Sequence, residues 1–165
     1  MKINSDTYLD ALGANMALTP KMIDELDTHG FTVIHDVVDK EWLAEMRRTF
    51  DMLVEKEGDQ LAIEHHQEDT VTRVANLINK GTVWEKVWAH PMVLAACKHI
   101  FNAEFKISSL NAREAHHHGG HQPLHADWKK ARPDFPKVHL VNSIWAIDDL
   151  SRENGAPRII PGTHL

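Results

Sequence analysis

The residues His116 to Trp128 read HHHGGHQPLHADW, and five histidines and one aspartate in so short a span raise the question of a metal centre. In an extended chain, residues i and i+2 point to the same side. His125 and Asp127 therefore project together, with Ala126 turned away. One imidazole and one carboxylate on a common face supply two of the three ligands of the 2-His-1-carboxylate triad that holds non-haem Fe(II). Such a triad leaves three coordination positions open, enough for a bidentate co-substrate and dioxygen. The bare His-x-Asp pattern is short, and thirteen histidines in the chain make a chance match easier.

The other histidines read differently. His116, His117 and His118 precede Gly119-Gly120, in what reads as a solvated, flexible loop. A loop of that kind takes up Ni²⁺ or Zn²⁺ without needing a function. His121 reads either as pocket lining or as part of the loop. His65 and His66 fall in the polar stretch GDQLAIEHHQEDT and read as solvated. A zinc hydrolase finds little support, because no H-E-x-x-H and no paired cysteines accompany the cluster.

The elements that must position His125 and Asp127 follow from the rest of the pattern. LTPKMIDELDTHG predicts a helix with Thr19 as N-cap, Pro20 at its first position and Gly30 beyond its last turn. FTVIHDVV, Phe31 to Val38, is β-branched and reads as a strand. Asp39 caps a second helix, whose apolar residues from Trp42 to Val54 keep helical spacing up to Gly58. TRVANLINKG is a short apolar segment ending in a turn. Helical segments follow from Val83 to Ala89 and from Pro91 to Phe101. From Glu104 the character changes to strands. EFKISSLNARE is extended; KVHLVNSIWAIDDL is apolar at both parities, as for a strand covered on both faces; APRIIPGTHL runs into a Pro-Gly turn. Helices first and strands later make an α+β or helix-decorated β pattern.

Composition bounds the function. A chain of 165 residues suits one domain. It carries 42% hydrophobic and 25% charged residues, with a formal charge of −6 and no block of like charges. That balance argues against a nucleic-acid partner bound by phosphate neutralisation. No secretory signal and no membrane-spanning apolar run is evident. The single cysteine, Cys97, excludes an internal disulfide. A reducing, cytoplasmic setting and a small-molecule substrate are the resulting expectations.

Two blocks then carry a resemblance. QPLHADW is followed, from Ser143, by SIWAIDDLSRENGAPRIIPGTHL. Together they resemble the phytanoyl-CoA dioxygenase family of Fe(II)/2-oxoglutarate oxygenases, in which P-L-H-x-D precedes E-N-G-x-x-R-x-x-P-G-[ST]-H. Glu153-Asn154-Gly155, Arg158 and Pro161 to His164 match the second block. GFTVIHDVVDKEWLAEMRRTF is also similar to the family's opening strand and helix, so the likeness runs from about Thr19 to Leu165.

The resemblance implies a mainly β fold with N-terminal helices, a double-stranded β-helix (a cupin-like jelly roll) with helices packed on one sheet. It implies His125 and Asp127 as the first two iron ligands, and 2-oxoglutarate as co-substrate. Trp145 matches a tryptophan that borders the co-substrate pocket, although a core aromatic would read the same way. Arg73 falls where relatives can carry a basic residue that reaches the co-substrate; a surface arginine is the alternative. Ser109 and Asn111 could hydrogen-bond the co-substrate, or could serve as turn residues at a strand end. In the family, the histidine matching His164 is not a ligand. The third ligand comes from a later W-H-G-x-G-x-N strand, and an arginine beyond it anchors 2-oxoglutarate; neither segment occurs here. Residues 1–165 are accordingly expected to form one dioxygenase domain that stops before the last strands, with an open sheet edge and exposed apolar surface near Trp145. As such a fragment it is not expected to turn over 2-oxoglutarate. The alternative is a non-catalytic metal-binding module.

Overall fold

Helices arise here from short-range signals. The computed structural model describes residues 5–16, 18–63, 69–117, 119, 122–128 and 138–165. Its helices are α1 (Ser5–Ala11), α2 (Pro20–His29), α3 (Lys40–Glu57), α4 (Glu85–Trp88) and α5 (Pro91–Phe101). Thr19 caps α2 by accepting from the Met22 amide at 3.3 Å, and Asp39 caps α3 by accepting from the Trp42 amide at 2.8 Å. Each side-chain oxygen satisfies an amide that the first helical turn leaves without a partner. Gly30 ends α2 in the left-handed region, at φ +82°. The cap of α5 is a histidine: His90 Nδ1 accepts from the Met92 amide at 3.3 Å.

The helical spacing of Trp42, Met46 and Leu53 directs one face of α3 into the main core. There they meet Val74, Leu77, Val83, Trp84 and Val87. Met46 and Val74 are fully buried. Burying a side chain of that size contributes about 1.5–3 kcal/mol. The Trp42 indole N–H, which burial would otherwise leave unmatched, donates to the Val83 carbonyl at 3.0 Å. A smaller cluster of Ala14, Leu94 and Ala95, flanked by Leu9, Leu18 and Phe105, joins α5 to the N-terminal segment.

Among the described residues the ladders form one antiparallel ribbon. Strand β1 (Val71–Val74) pairs with β2 (Ala112–Ala115), with Val71 opposite Ala115 and Arg73 opposite Arg113. The pairing extends at one end through His116 N to Thr70 O at 3.0 Å, and Leu77 N bonds Leu110 O at 2.9 Å beyond the other. The extended stretch 104–114 ends in β2, as its sequence reads, whereas Phe31–Val38, 104–111, 138–147 and 156–160 also read as strands yet lie outside any ladder among the described residues. A strand exists by pairing, and no neighbouring strand among the described residues stands beside these segments. The stretch TRVANL, in contrast, supplies β1 although its sequence reads only as a short apolar segment.

The C-terminal region is fastened to the helices at two places. Trp145 packs edge-on against Trp42 and His90, both with ring centroids at 5.4 Å, and Ile147 joins the same core. One guanidinium nitrogen of Arg47 reaches both the Ile147 carbonyl at 2.7 Å and the Asp148 carboxylate at 2.6 Å. Trp145 itself is thus partly buried; the exposed apolar surface nearby belongs to Ile144, 65% exposed, and Leu150.

The second fastening is the Pro161–His164 turn. Gly162 N donates to the His29 carbonyl at 2.8 Å, and His164 Nε2–H donates to the Asp27 carbonyl at 3.3 Å. Both carbonyls belong to the last turn of α2, where helix geometry leaves them open. A Cβ on Gly30 would collide with the His164 ring, so glycine is required there by close approach as well as by its φ.

Candidate metal centre

His125 and Asp127 lie on the segment after Pro123, and the structure brings their side chains face to face. His125 Nε2 stands 3.3 Å from Asp127 Oδ1, with both side chains about half exposed. Cis ligands of one octahedral ion, each roughly 2.1 Å from it, lie roughly 3 Å apart. A cation therefore needs only a small adjustment of either side chain to bridge them.

The partners of these two groups favour ligation. His125 Nδ1–H donates to the Pro123 carbonyl at 2.9 Å. With Nδ1 engaged by that carbonyl, Nε2 is the ring nitrogen turned to Asp127 and the one a metal would take. Asn142 Nδ2–H donates to Asp127 Oδ2 at 2.6 Å, which leaves Oδ1 as the oxygen on the histidine side. A donor set of one imidazole and one carboxylate suits Fe(II). Among the described residues no group of three His, Cys, Asp or Glu side chains converges on a common point.

The E-N-G-x-x-R block supports this segment rather than adding ligands. Asn154 accepts from the Ser151 amide at 2.6 Å and donates to the Asp149 carbonyl at 2.5 Å, clamping a turn that Gly155 completes at φ +92°. Just past that turn, Arg158 donates to the Gln122 carbonyl at 3.1 Å. The second sequence block thereby ties to the stretch that carries His125 and Asp127. His164 is engaged with α2, as described above.

The residues associated with 2-oxoglutarate in the sequence take the following places. Trp145 lies against Trp42 and His90, its indole N–H donating to Ser143 Oγ at 3.2 Å. Asn111 Oδ1 accepts from the Asn76 amide at 3.3 Å and so holds a residue at φ +55°. Ser109 is exposed. Arg73 faces Arg113 across the ribbon, two like charges at directly opposed positions.

Of the histidine triplet, His116 shares a hydrogen bond with Thr72 Oγ1 at 2.8 Å, which ties its ring to β1. His118 and His121 lie outside the described residues, as do His65 and His66. Burial pushes the Cys97 thiol up, away from the thiolate that nucleophilic chemistry would need. Sequence reasoning missed Asn142 and the Arg158 tie. A polar Asn inside the apolar run KVHLVNSIWAI was the signal for the first; the second joins residues 36 apart and left no local mark.

Comparison with known proteins bears on the whole stretch. No solved structure matches the chain. Dioxygenase af480 of Aspergillus fumigatus is 28% identical over 93 residues, a stretch covering 56% of this chain and 30% of that relative. The family model for phytanoyl-CoA dioxygenase (PhyH) matches residues 26–165. That span takes in α3, the main core, the His125–Asp127 pair and both motif blocks, and the chain belongs to the phytanoyl-CoA dioxygenase family.

Proposed function

We propose that the protein acts as an Fe(II)/2-oxoglutarate-dependent hydroxylase of a small-molecule substrate, with His125 Nε2 and Asp127 Oδ1 as two of the three iron ligands. The observation that carries this reading is the 3.3 Å approach of those atoms, with Nδ1 of the same ring engaged by the Pro123 carbonyl. Ferrous iron with 2-oxoglutarate and dioxygen would supply the oxidising chemistry: one oxygen atom of dioxygen would enter succinate as the keto acid loses CO₂, and the other would enter a substrate C–H bond as the hydroxyl. The chain's own residues present the two ligands, fix the imidazole tautomer and hold the carboxylate. No side chain is assigned as a general acid or base.

The same proposal assigns Trp145, Arg73, Ser109 and Asn111 to the surroundings of 2-oxoglutarate, on the resemblance alone. For the fold we propose a jelly roll, with β1 and β2 among its strands and the segment from Val138 to Ile147 as another. No helix among the described residues is long and apolar enough to cross a membrane, and we propose a cytoplasmic location.

The test is anaerobic titration of the chain with Fe(II), with and without 2-oxoglutarate. The expected result is Fe(II) binding that 2-oxoglutarate tightens and that His125→Ala and Asp127→Ala each abolish. Binding indifferent to 2-oxoglutarate would instead indicate a plain metal-binding module. Turnover is a separate readout. Succinate formation that depends on both Fe(II) and 2-oxoglutarate would show that a third ligand and an anchor for 2-oxoglutarate complete the site; Fe(II) binding without it would leave the two-ligand assignment standing and turnover unsupported.

A further inference from the structure

We propose that Asn142 is a positioning residue for the metal centre, restricting Asp127 to one-oxygen ligation and aiming that oxygen at the site that His125 faces. This inference rests on the iron-site reading above and adds a residue to it.

The Asp127 carboxylate is divided between two neighbours. Oδ2 accepts from Asn142 Nδ2–H at 2.6 Å, while Oδ1 lies 3.3 Å from His125 Nε2. An unrestrained aspartate rotates about its last side-chain bond and can offer a cation either oxygen or both. A short, charge-assisted hydrogen bond to one oxygen removes that freedom. It disfavours two-oxygen chelation, because the amide already takes one acceptor site of Oδ2 and holds the carboxylate in one rotation. It also lowers the entropy lost when Oδ1 binds.

The choice of asparagine is informative. Its amide is neutral and donates in any protonation state, so it orients the carboxylate without competing as a cation for it. A lysine or arginine there would neutralise the ligand, and a second carboxylate would repel it. Asn142 sits fifteen residues after Asp127 in the chain, on the next described segment, and it is exposed. Its polar group therefore does not exist to satisfy a buried neighbour. Across the pair, the Pro123 carbonyl plays the matching part for the imidazole, so each ligand is oriented by one hydrogen bond to its far side.

The test uses Mn²⁺ as the probe, with free ion measured by electron paramagnetic resonance, on the chain and on its Asn142→Ala, Asn142→Leu and Asp127→Ala variants. Loss of an outer partner of this kind typically weakens metal binding about 10–100-fold, and a loss of at least tenfold is expected for both Asn142 variants. A second readout is the infrared difference spectrum on adding Mn²⁺. In the native chain the two carboxylate stretches should separate as for ligation through one oxygen. In the Asn142 variants the separation should narrow towards that of a chelating carboxylate, a change that general loosening of the segment would not produce. Native affinity together with native carboxylate bands in both Asn142 variants, while Asp127→Ala loses Mn²⁺, would overturn the role of Asn142 and leave the iron-site reading standing. Undiminished Mn²⁺ binding in Asp127→Ala would overturn both.

Discussion

The helical region up to Phe101 and the region that follows it are held by different forces. In the first, α3 and its neighbours bury Trp42, Met46, Leu53 and Trp84 in a continuous apolar core. In the second, most described side chains are exposed, and order comes from the pairing of β2 with β1, from turns, from a few hydrogen bonds between residues distant in the chain, and from the seating of Trp145 and Ile147 on that core. His125 and Asp127, the proposed metal ligands, belong to the second region. The difference teaches that the helices act as a platform: they stabilise, and the proposed ligands are displayed on segments tied to them at discrete points. Stability and ligand geometry should accordingly respond to different substitutions.

The sharpest contrast pairs one substitution from each region. Met46→Ala removes a fully buried side chain from the core and is expected to cost about 3 kcal/mol, read as a shift in the denaturant midpoint. Ile144→Ala, on a residue 65% exposed beside Trp145, should change stability by no more than about 0.5 kcal/mol. Equal losses would mean that both regions rest on burial, and the contrast would collapse.

A smaller effect is expected where the regions meet at the end of α2. Gly30→Ala places a Cβ both in a left-handed conformation and against the His164 ring, and should cost about 1–2 kcal/mol. If the collision contributes, adding His164→Ala should recover part of that loss, giving a non-additive double-mutant cycle. Strict additivity would place the whole effect in the backbone conformation and remove His164 from the junction.

The mildest prediction concerns pH at the other junction, where His90 caps α5 and touches Trp145. Burial lowers the His90 pKa from its ordinary 6.5, so the folded chain takes up this proton less readily than the unfolded one. The contribution of neutral His90 is therefore complete above the unfolded value and declines as pH falls through that value towards the lower folded one. His90→Asn keeps a capping acceptor and removes the titration. Its melting temperature should fall less than that of the native chain between about pH 7.5 and 5.5. An identical decline would show that protonation of His90 does not matter to this junction.

The same division explains what could be read in advance. Helix boundaries were readable because caps and breakers act within a few residues: Thr19 with Pro20, Asp39, Gly30 and Gly58 all stand where the sequence sets them. Strands were legible only in part: the extended stretch from Glu104 does end in Ala112–Ala115, but Val71–Val74 acquires its identity from that partner some forty residues away, and Phe31–Val38 has the composition of a strand with no ladder partner among the described residues. At the candidate site, two-residue periodicity sufficed to pair His125 with Asp127. It could not reveal Asn142, whose contact depends on how two segments are laid side by side. The family motif blocks show a similar split. Asn154, Gly155, Gly162 and His164 carry the resemblance, yet their described contacts shape turns and close the end of α2.

The central claim is that one metal ion binds between His125 and Asp127, and not in the neighbouring histidine-rich loop. Side-chain-selective NMR of the thirteen histidines tests it most directly, as Fe(II) is added anaerobically in substoichiometric steps. The paramagnetic ion should broaden the His125 imidazole first, and Asp127→Ala should abolish that broadening. Early loss of the His116 and His117 signals while His125 stays sharp would contradict the account, and would place the metal in the loop.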